Sequence, residues 1–314
     1  MFRRRHVREK NRHFAILVNR SAGKYDPKAV QKLIAAIKKG NANYTMFEPA
    51  SAMDFARVAQ AAALLNKDKP SPDQNIARRG EVTALVACGG DGTFNLAARS
   101  VIDTDIPVGI IPMGKMNNAA RSLYGSVNVD TAIAKVVSGN YKKIDVGQAA
   151  DQPFFVSIGL GFVPELVEEI RESSLPRFGF GWSQLGGKAA ARVKMVKSVI
   201  KIDAFKFEAE PIMFSVHLMP FAATLPFSTA SLTDDGEAEV IFDLGNKMGE
   251  FSTITRMIQK NKFLYGSDVR MYRGKSISVH PVRGRVIYLD GELIPLPTNT
   301  LSIKTGEKQI KAFC

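Results

Sequence analysis

At 314 residues, 45% hydrophobic and 23% charged, the chain has the composition of a folded globular protein long enough for two domains. A formal net charge of +13 leaves nucleic acid, an anionic membrane and a phosphorylated substrate open as partners. Only Cys88 and Cys314 are present, which excludes a disulfide framework or cysteine metal cluster and predicts a cytoplasmic protein; no apolar run reaches the length of a bilayer span, and the charged N-terminus lacks the apolar stretch of a secretory signal.

In chain order, residues 1–13 form a basic arm in which Arg3, Arg4, Arg5, Arg8, Lys10 and Arg12 oppose Glu9. It reads either as a solvated tail or as an arm attracted to anionic lipid headgroups, each base contributing about 1 kcal/mol near such a surface. Residues 14–18 (FAILV) predict the first strand of a domain over 14–140, and 19–24 a polar turn. Asp26 before Pro27 predicts a helix start, with the end near Gly40. Residues 43–47 predict a strand. Ser51 with Asp54 predicts a capping-box start of a helix to about Leu65, and 67–80 a loop.

Residues 82–93 (VTALVACGGDGT) are the centre of the reading. A buried strand ends in Gly89-Gly90-Asp91-Gly92-Thr93, and a helix follows from Phe94. This order points backbone N–H groups outward at a helix N-terminus, where they can bind phosphate, and glycine lets a phosphate approach without meeting a Cβ. Asp91 would repel a bare phosphate, so it should face Mg²⁺, a ribose or a backbone amide. Thr93 can donate its hydroxyl. The bland alternative is a tight turn between strand and helix. A strand over 107–111 and a helix over 130–138 complete an alternation that predicts a doubly wound, mostly parallel α/β sheet with ligand loops at strand C-termini.

From residue 141 the pattern changes to short strands: 141–147, 153–159, 212–219, 237–242, 268–272, 276–280 and 285–289. They predict a β-rich, sandwich-like domain over 141–300, with 301–314 as a last strand and tail. One long helix, 183–201, is expected to interrupt it. Leu185, Ala189, Val193, Val196, Val199 and Ile200 fall on one face, with Lys194, Lys197 and Lys201 opposite. That helix either packs on the sandwich or lies at an anionic membrane surface. Residues 211–232 carry no charge, and predict a buried strand and apolar loop or a wall for acyl chains. His217 within them reads as a core histidine. Trp182 either packs or anchors at a lipid interface.

The glycine block resembles the nucleotide loop of diacylglycerol, sphingosine and NAD kinases. Pro112, Gly114, Asn117, Ala120 and Arg121 resemble the lipid-kinase segment P-x-G-T-x-N-D-x-A-R, from which Lys115 and Asn118 depart, and Leu96 stands where the family often has a Glu after G-G-D-G-T-x-N. Asn19 and Gly23 match the family's N-P-x-S-G loop, with Arg20 in place of the proline. The resemblance implies ATP with Mg²⁺, its phosphates held by Asn19, Gly23, Gly89, Gly90, Asp91, Gly92, Thr93, Gly114, Lys115 and Asn117. It also implies a chain end that packs near the first domain.

Asp290-Gly291-Glu292 resembles the D-G-E motif of soluble lipid kinases. By that resemblance Asp290 is the base for an acceptor hydroxyl, and Glu292 orients it or helps hold Mg²⁺. Asp234 and Asp235 resemble the family's D-D-G turn, which implies a structural Mg²⁺; turn chemistry alone explains them equally. The function expected is transfer of the ATP γ-phosphate to a free hydroxyl of a membrane lipid. Diacylglycerol is the default acceptor, with ceramide, another sphingoid lipid, monoacylglycerol or phosphatidylglycerol open. The enzyme would work at the inner face of an anionic membrane and bind no nucleic acid. An NAD kinase-like enzyme and a catalytically weak lipid-binding regulator are the alternatives.

Overall fold

The structure is a computed structural model that describes residues 5–6, 12–64, 82–173, 180–194, 196–222, 225–226, 228, 231–245, 257, 260, 262–282 and 286–314. Most of the basic arm and the loop expected at 67–80 lie outside these residues, as do parts of the apolar run 211–232 and the side chain of Trp182. The chain forms two compact units, Met1–Ile144 with Lys308–Cys314 and Asp145–Glu307.

The first unit is an α/β alternation: β1 Arg5–His6, β2 His13–Val18, α1 Pro27–Lys39, β3 Asn43–Phe47, α2 Ala52–Leu64, β4 Ala84–Gly89, α3 Asp91–Ser100, β5 Val108–Pro112, α4 Asn118–Tyr124 and α5 Val129–Ser138. β2 pairs in parallel with β3 and β4, and β4 with β5. The chain's last strand adds beside β5, also in parallel, with Ala312 opposite Val108. Every residue of β2, β4 and β5 is buried. That is the expected consequence of a parallel sheet covered by helices, and it explains their unbroken apolar runs.

Local signals set the helices. The Asp26 side chain accepts from Lys28 N at 2.9 Å, and Pro27 opens α1 where its missing N–H costs nothing. Ala29, Val30, Leu33 and Ile37 form its buried stripe. Ser51 Oγ accepts from Asp54 N at 3.1 Å, as the capping box predicts; the Asp54 carboxylate in turn takes Ala50 N at 3.3 Å.

The second unit takes up the chain within β6, Asn140–Ala149. It continues through β7 Gln152–Phe154, β8 Ser157–Gly161, α6 Phe162–Glu172, α7 Phe180–Arg192, β9 Ser198–Ile202, β10 Phe205–Ala209, β11 Met213–His217, β12 Phe221–Ala222, β13 Leu225–Pro226, β14 Ala238–Asp243, β15 Val269–Gly274, β16 Ser276–His280, β17 Val286–Leu289, β18 Glu292–Pro295 and the first part of β19, Leu301–Phe313. One antiparallel sheet runs β15-β14-β11-β8-β17-β18. The strands β10-β9-β16-β19 are also antiparallel neighbours. Their inner faces share one core: Ile158, Leu160, Phe214, Val216, Val240 and Phe242 from the first set, Ile200, Ile202, Ile277, Val279, Leu301 and Ile303 from the second. This is the sandwich-like arrangement that alternating strands predict.

The helix expected over 183–201 is corrected. α7 ends at Arg192, and Ser198–Ile202 is a strand. Val196, Val199 and Ile200 fit a helical stripe by spacing, but β-branched residues also favour a pleated surface, and pairing with β10 and β16 decides in favour of strand. β1, α4, α6, the β9–β10 hairpin, β12, β13 and β18 are elements the sequence reading omits.

Candidate functional site

In the first unit, three loops at strand C-termini are tied together. After β2, Asn19 donates through Nδ2 to Thr93 Oγ1 at 2.9 Å, and its Oδ1 accepts from Ser21 N at 3.0 Å. Lys24 N donates to Met113 O at 2.8 Å, and Met113 N to Gly89 O at 2.7 Å. The loops following β2, β4 and β5 are therefore joined by main chain as well as by side chains.

The glycines are explained by contact. A Cβ on Gly90 would lie 3.0 Å from the Gly114 Cα, and one on Gly114 would lie 2.5 Å from the Gly90 Cα. Main chain touches main chain there, so no side chain fits at either position. A Cβ on Gly89 would collide with Thr93 Oγ1. Gly90 is also the N-cap of α3 and supplies no side-chain oxygen to its first turn. The N–H groups of Asp91, Gly92 and Thr93 lie in that turn, which lacks intrahelical acceptors and attracts an anion.

Asp91 takes the third of its three expected partners, a backbone amide. Its carboxylate is buried and accepts from Ala119 N at 3.0 Å, in the first turn of α4. Burial raises its pKa, against the opposing pull of the Ala119, Asn118 and Asn117 N–H groups and Arg121. Asn117 clips the same turn: Oδ1 accepts from Gly114 N at 2.8 Å and Nδ2 donates to Gly114 O at 2.9 Å. Its φ of 55° is left-handed, which asparagine tolerates better than most residues. Lys115 is exposed, and a Cβ on Gly23 would lie 3.1 Å from its Cγ and 3.4 Å from its Cε. The lysine stem therefore runs over Gly23, and its ammonium belongs to the same loop cluster.

In the second unit, Asp290-Gly291 forms the two-residue turn between β17 and β18, where Leu289 pairs with Glu292. Both turn residues have positive φ, 49° and 105°, as an Asp-Gly hairpin requires. Asp290 is buried, and three backbone N–H groups hold its carboxylate: Phe155 on Oδ2 at 2.6 Å, and Val156 and Ser157 on Oδ1 at 2.8 Å each. Arg171 of α6 donates to Gly291 O at 2.5 Å and fixes the turn from the other side. Glu292 is exposed and emerges beyond the turn, so the groups that orient Asp290 are main-chain amides and not Glu292. Neither the amides at 155–157 nor Arg171 carries a motif that would reveal this from sequence.

The expected Mg²⁺ pair fits a metal poorly. The Asp235 carboxylate is engaged by Arg273 and by Glu237 N, the latter at 3.0 Å. Arg273 also reaches Glu237 at 3.5 Å and Glu239 at 3.4 Å. Among the described residues, no three His, Cys, Asp or Glu side chains converge to hold a metal ion. A guanidinium thus occupies the place where Asp235 would take a cation, and the turn itself is held by Gly236 N donating to Asp145 Oδ2 at 2.8 Å. His217 is a core histidine as expected. It is buried beside Ser215 Oγ at 2.9 Å, and burial lowers its pKa to about 3.

Residues 13–149 match the diacylglycerol kinase catalytic domain family. The chain is similar to a diacylglycerol kinase of Staphylococcus saprophyticus, 26% identical over 226 residues covering 70% of this chain and 74% of that one. It is also similar to one of Staphylococcus aureus, 24% identical over 235 residues covering 73% of each. In fold it resembles a crystal structure of a diacylglycerol kinase from Bacillus anthracis, with a TM-score of 0.65 at 18% identity over 96% of this chain and 97% of that one.

Proposed function

We propose that this chain, whose residues 13–149 match the diacylglycerol kinase catalytic domain family, transfers the γ-phosphate of ATP to a free hydroxyl of a membrane lipid. The observation that carries the reading is the glycine cradle of the first unit. Gly90 and Gly114 are in main-chain contact, the first turn of α3 has no side-chain cap, and the Lys115 stem crosses Gly23. Such a surface suits a polyphosphate: the amides supply donors, and the lysine supplies a point charge.

Asp290 is the proposed base. Three backbone N–H groups hold its carboxylate in place. Held in that place, the carboxylate would accept the acceptor's O–H. As the alcohol oxygen bonds to the γ-phosphorus in line, the bond from phosphorus to the β–γ bridging oxygen breaks. The alcohol's proton passes to Asp290, and ADP leaves. Mg²⁺ would enter as part of the nucleotide substrate and offset charge on its phosphates. Diacylglycerol is the first acceptor to test, since the relatives carry that name. Among the described residues no helix is long and apolar enough to cross a membrane; access to lipid would come from peripheral binding at the cytoplasmic face.

The test is incubation with radiolabelled ATP, Mg²⁺ and mixed micelles containing, in turn, diacylglycerol, monoacylglycerol, ceramide and phosphatidylglycerol. Label in the lipid phase with at least one acceptor is expected. Label in none of them, or label in NAD instead, would overturn the proposal.

A further inference from the structure

We propose that the outer face of the strands β10-β9-β16-β19 is the surface on which this protein docks to an anionic bilayer; the inference rests on the lipid-kinase reading and adds the place of contact. In the second unit these strands turn Ile200, Ile202, Ile277, Val279, Leu301 and Ile303 inward. Their alternate residues point the other way. The register lines them up in rows: Lys206 opposite Lys201, Lys201 opposite Ser278, and Ser278 opposite Ser302. In the neighbouring row Ser276 stands opposite Lys304. Lys201, Lys206 and Lys304 are all exposed.

Two features make this more than a solvated surface. Like charges directly opposite in an antiparallel pair are destabilising, yet Lys201 and Lys206 occupy such a pair. An anionic plane in front of them would remove that cost. Moreover, the acids nearby are already engaged. Glu208 pairs with Lys197 at 2.5 Å, and the Asp203 carboxylate accepts from Ser276 N at 2.8 Å and Lys275 N at 3.1 Å. Among the described residues, none of the three lysines is in an ion pair. The serines between them supply short hydroxyl donors at the level of the sheet.

The chemistry favours lipid headgroups over nucleic acid. Surfaces that take single strands interleave cations with aromatic stacking platforms. On this sheet Phe207 turns inward to stack on Phe242 and Tyr272, at 5.6 and 5.5 Å between ring centroids, exposed Phe205 pairs with Ile202 in an inward row, and the outer rows present the lysines and serines with Glu208 beside Lys206. A juxtamembrane lysine gains about 1 kcal/mol near an anionic leaflet, so loss of three should weaken partitioning by roughly 100-fold at low salt.

The experiment is co-sedimentation of the full chain, without nucleotide, with vesicles of phosphatidylcholine alone or phosphatidylcholine with phosphatidylglycerol. The variants are K201Q/K206Q/K304Q and a control of equal charge loss, K28Q/K39Q/K262Q, drawn from exposed lysines elsewhere. The sheet variant should lose at least 10-fold in binding to the anionic vesicles, with a melting temperature near that of the native chain, and the control should lose less than 3-fold. Equal losses in the two variants would overturn the proposal. So would native-like binding by the sheet variant, or binding of the native chain to an oligonucleotide but not to the anionic vesicles. Turnover of lipid in uncharged mixed micelles reports separately on the kinase reading: a chain that phosphorylates lipid there but loses no vesicle binding in the sheet variant keeps the activity and loses this docking face.

Discussion

Replacing Asp290 by asparagine separates two roles that the sequence motif merges. The left-handed backbone at Asp290 does not forbid the change, because asparagine tolerates that conformation as well as aspartate does. Asparagine can keep its oxygen toward the Val156 and Ser157 N–H groups. Its NH₂ must then face the Phe155 N–H, which now donates to Oδ2 at 2.6 Å. One charge-assisted bond is lost, at about 1.5–3 kcal/mol, and the other two become neutral ones, at about 1 kcal/mol each. The sum is a destabilisation of about 3–5 kcal/mol, against a total near 5–15 kcal/mol for a typical domain. Chemistry should fall separately, by about 10²–10⁴-fold in kcat, with the KM for ATP nearly unchanged. Urea unfolding measures the first effect, and steady-state kinetics on the folded fraction measures the second. Destabilisation below about 1 kcal/mol would refute the clamp. A folded variant with more than about half the native turnover would refute the base.

Lys115→Ala should weaken ATP use by roughly 10-fold through loss of the charge above Gly23, and Lys115→Thr should recover part of it by supplying a hydroxyl; equal kcat and KM for ATP in Lys115→Ala and native enzyme would remove the lysine from the phosphate site. With Arg273 already beside Asp235, excess chelator should leave the melting temperature unchanged, whereas Arg273→Met should lower stability by about 1–3 kcal/mol, the half-exposed guanidinium keeping the figure modest; a melting curve that shifts with added Mg²⁺ in the absence of nucleotide would contradict this. Burial depresses the His217 pKa to about 3, so the unfolded chain takes up a proton near pH 6.5 that the folded chain refuses. This contribution to stability is therefore complete above pH 6.5 and declines as pH falls toward 3, by about 2 kcal/mol at pH 5. Relative to native protein, His217→Gln should lose less stability between pH 7 and 5 in urea titrations, and parallel losses would show that His217 does not drive the acid sensitivity.

Most of the first unit was legible because its buried strands and longer helices carry their own signals, whereas β1 in the basic arm and the short helix α4 do not. The buried strands are unbroken apolar runs, and Asp26-Pro27 and Ser51 mark helix starts whose hydrogen bonds form as expected. The second unit was legible in its strands but not in its connections. Residues 193–201 satisfy a helical period and a strand period at once, and only pairing partners far along the chain separate the two. The hairpin at Asp203 depends on a left-handed residue with no glycine to announce it. At the site, the glycines and Asn117 could be read because main-chain contact and left-handed geometry demand those residue types. Arg273 could not, since its partner Asp235 lies 38 positions away and an exposed strand arginine has no distinguishing pattern.

The aspartates carry the wider argument. Asp91 takes Ala119 N, Asp145 takes Gly236 N, Asp203 takes Lys275 and Ser276 N, and Asp290 takes three N–H groups at 155–157. In each case a carboxylate binds the amides of a loop distant in sequence. An acid placed this way does for a loop what an N-cap does for a helix: it satisfies donors that no regular ladder reaches. Two of the four stand in motifs that the resemblance assigns to phosphate handling or catalysis. Motif identity alone therefore cannot distinguish an acid that performs chemistry from one that shapes the site, because both need the same residue at the same turn. What distinguishes them is whether stability and turnover fall together or separately when the charge is removed. Asp290 is held by three amides and is also the proposed base, and an asparagine at that position tests each purpose by a different measurement.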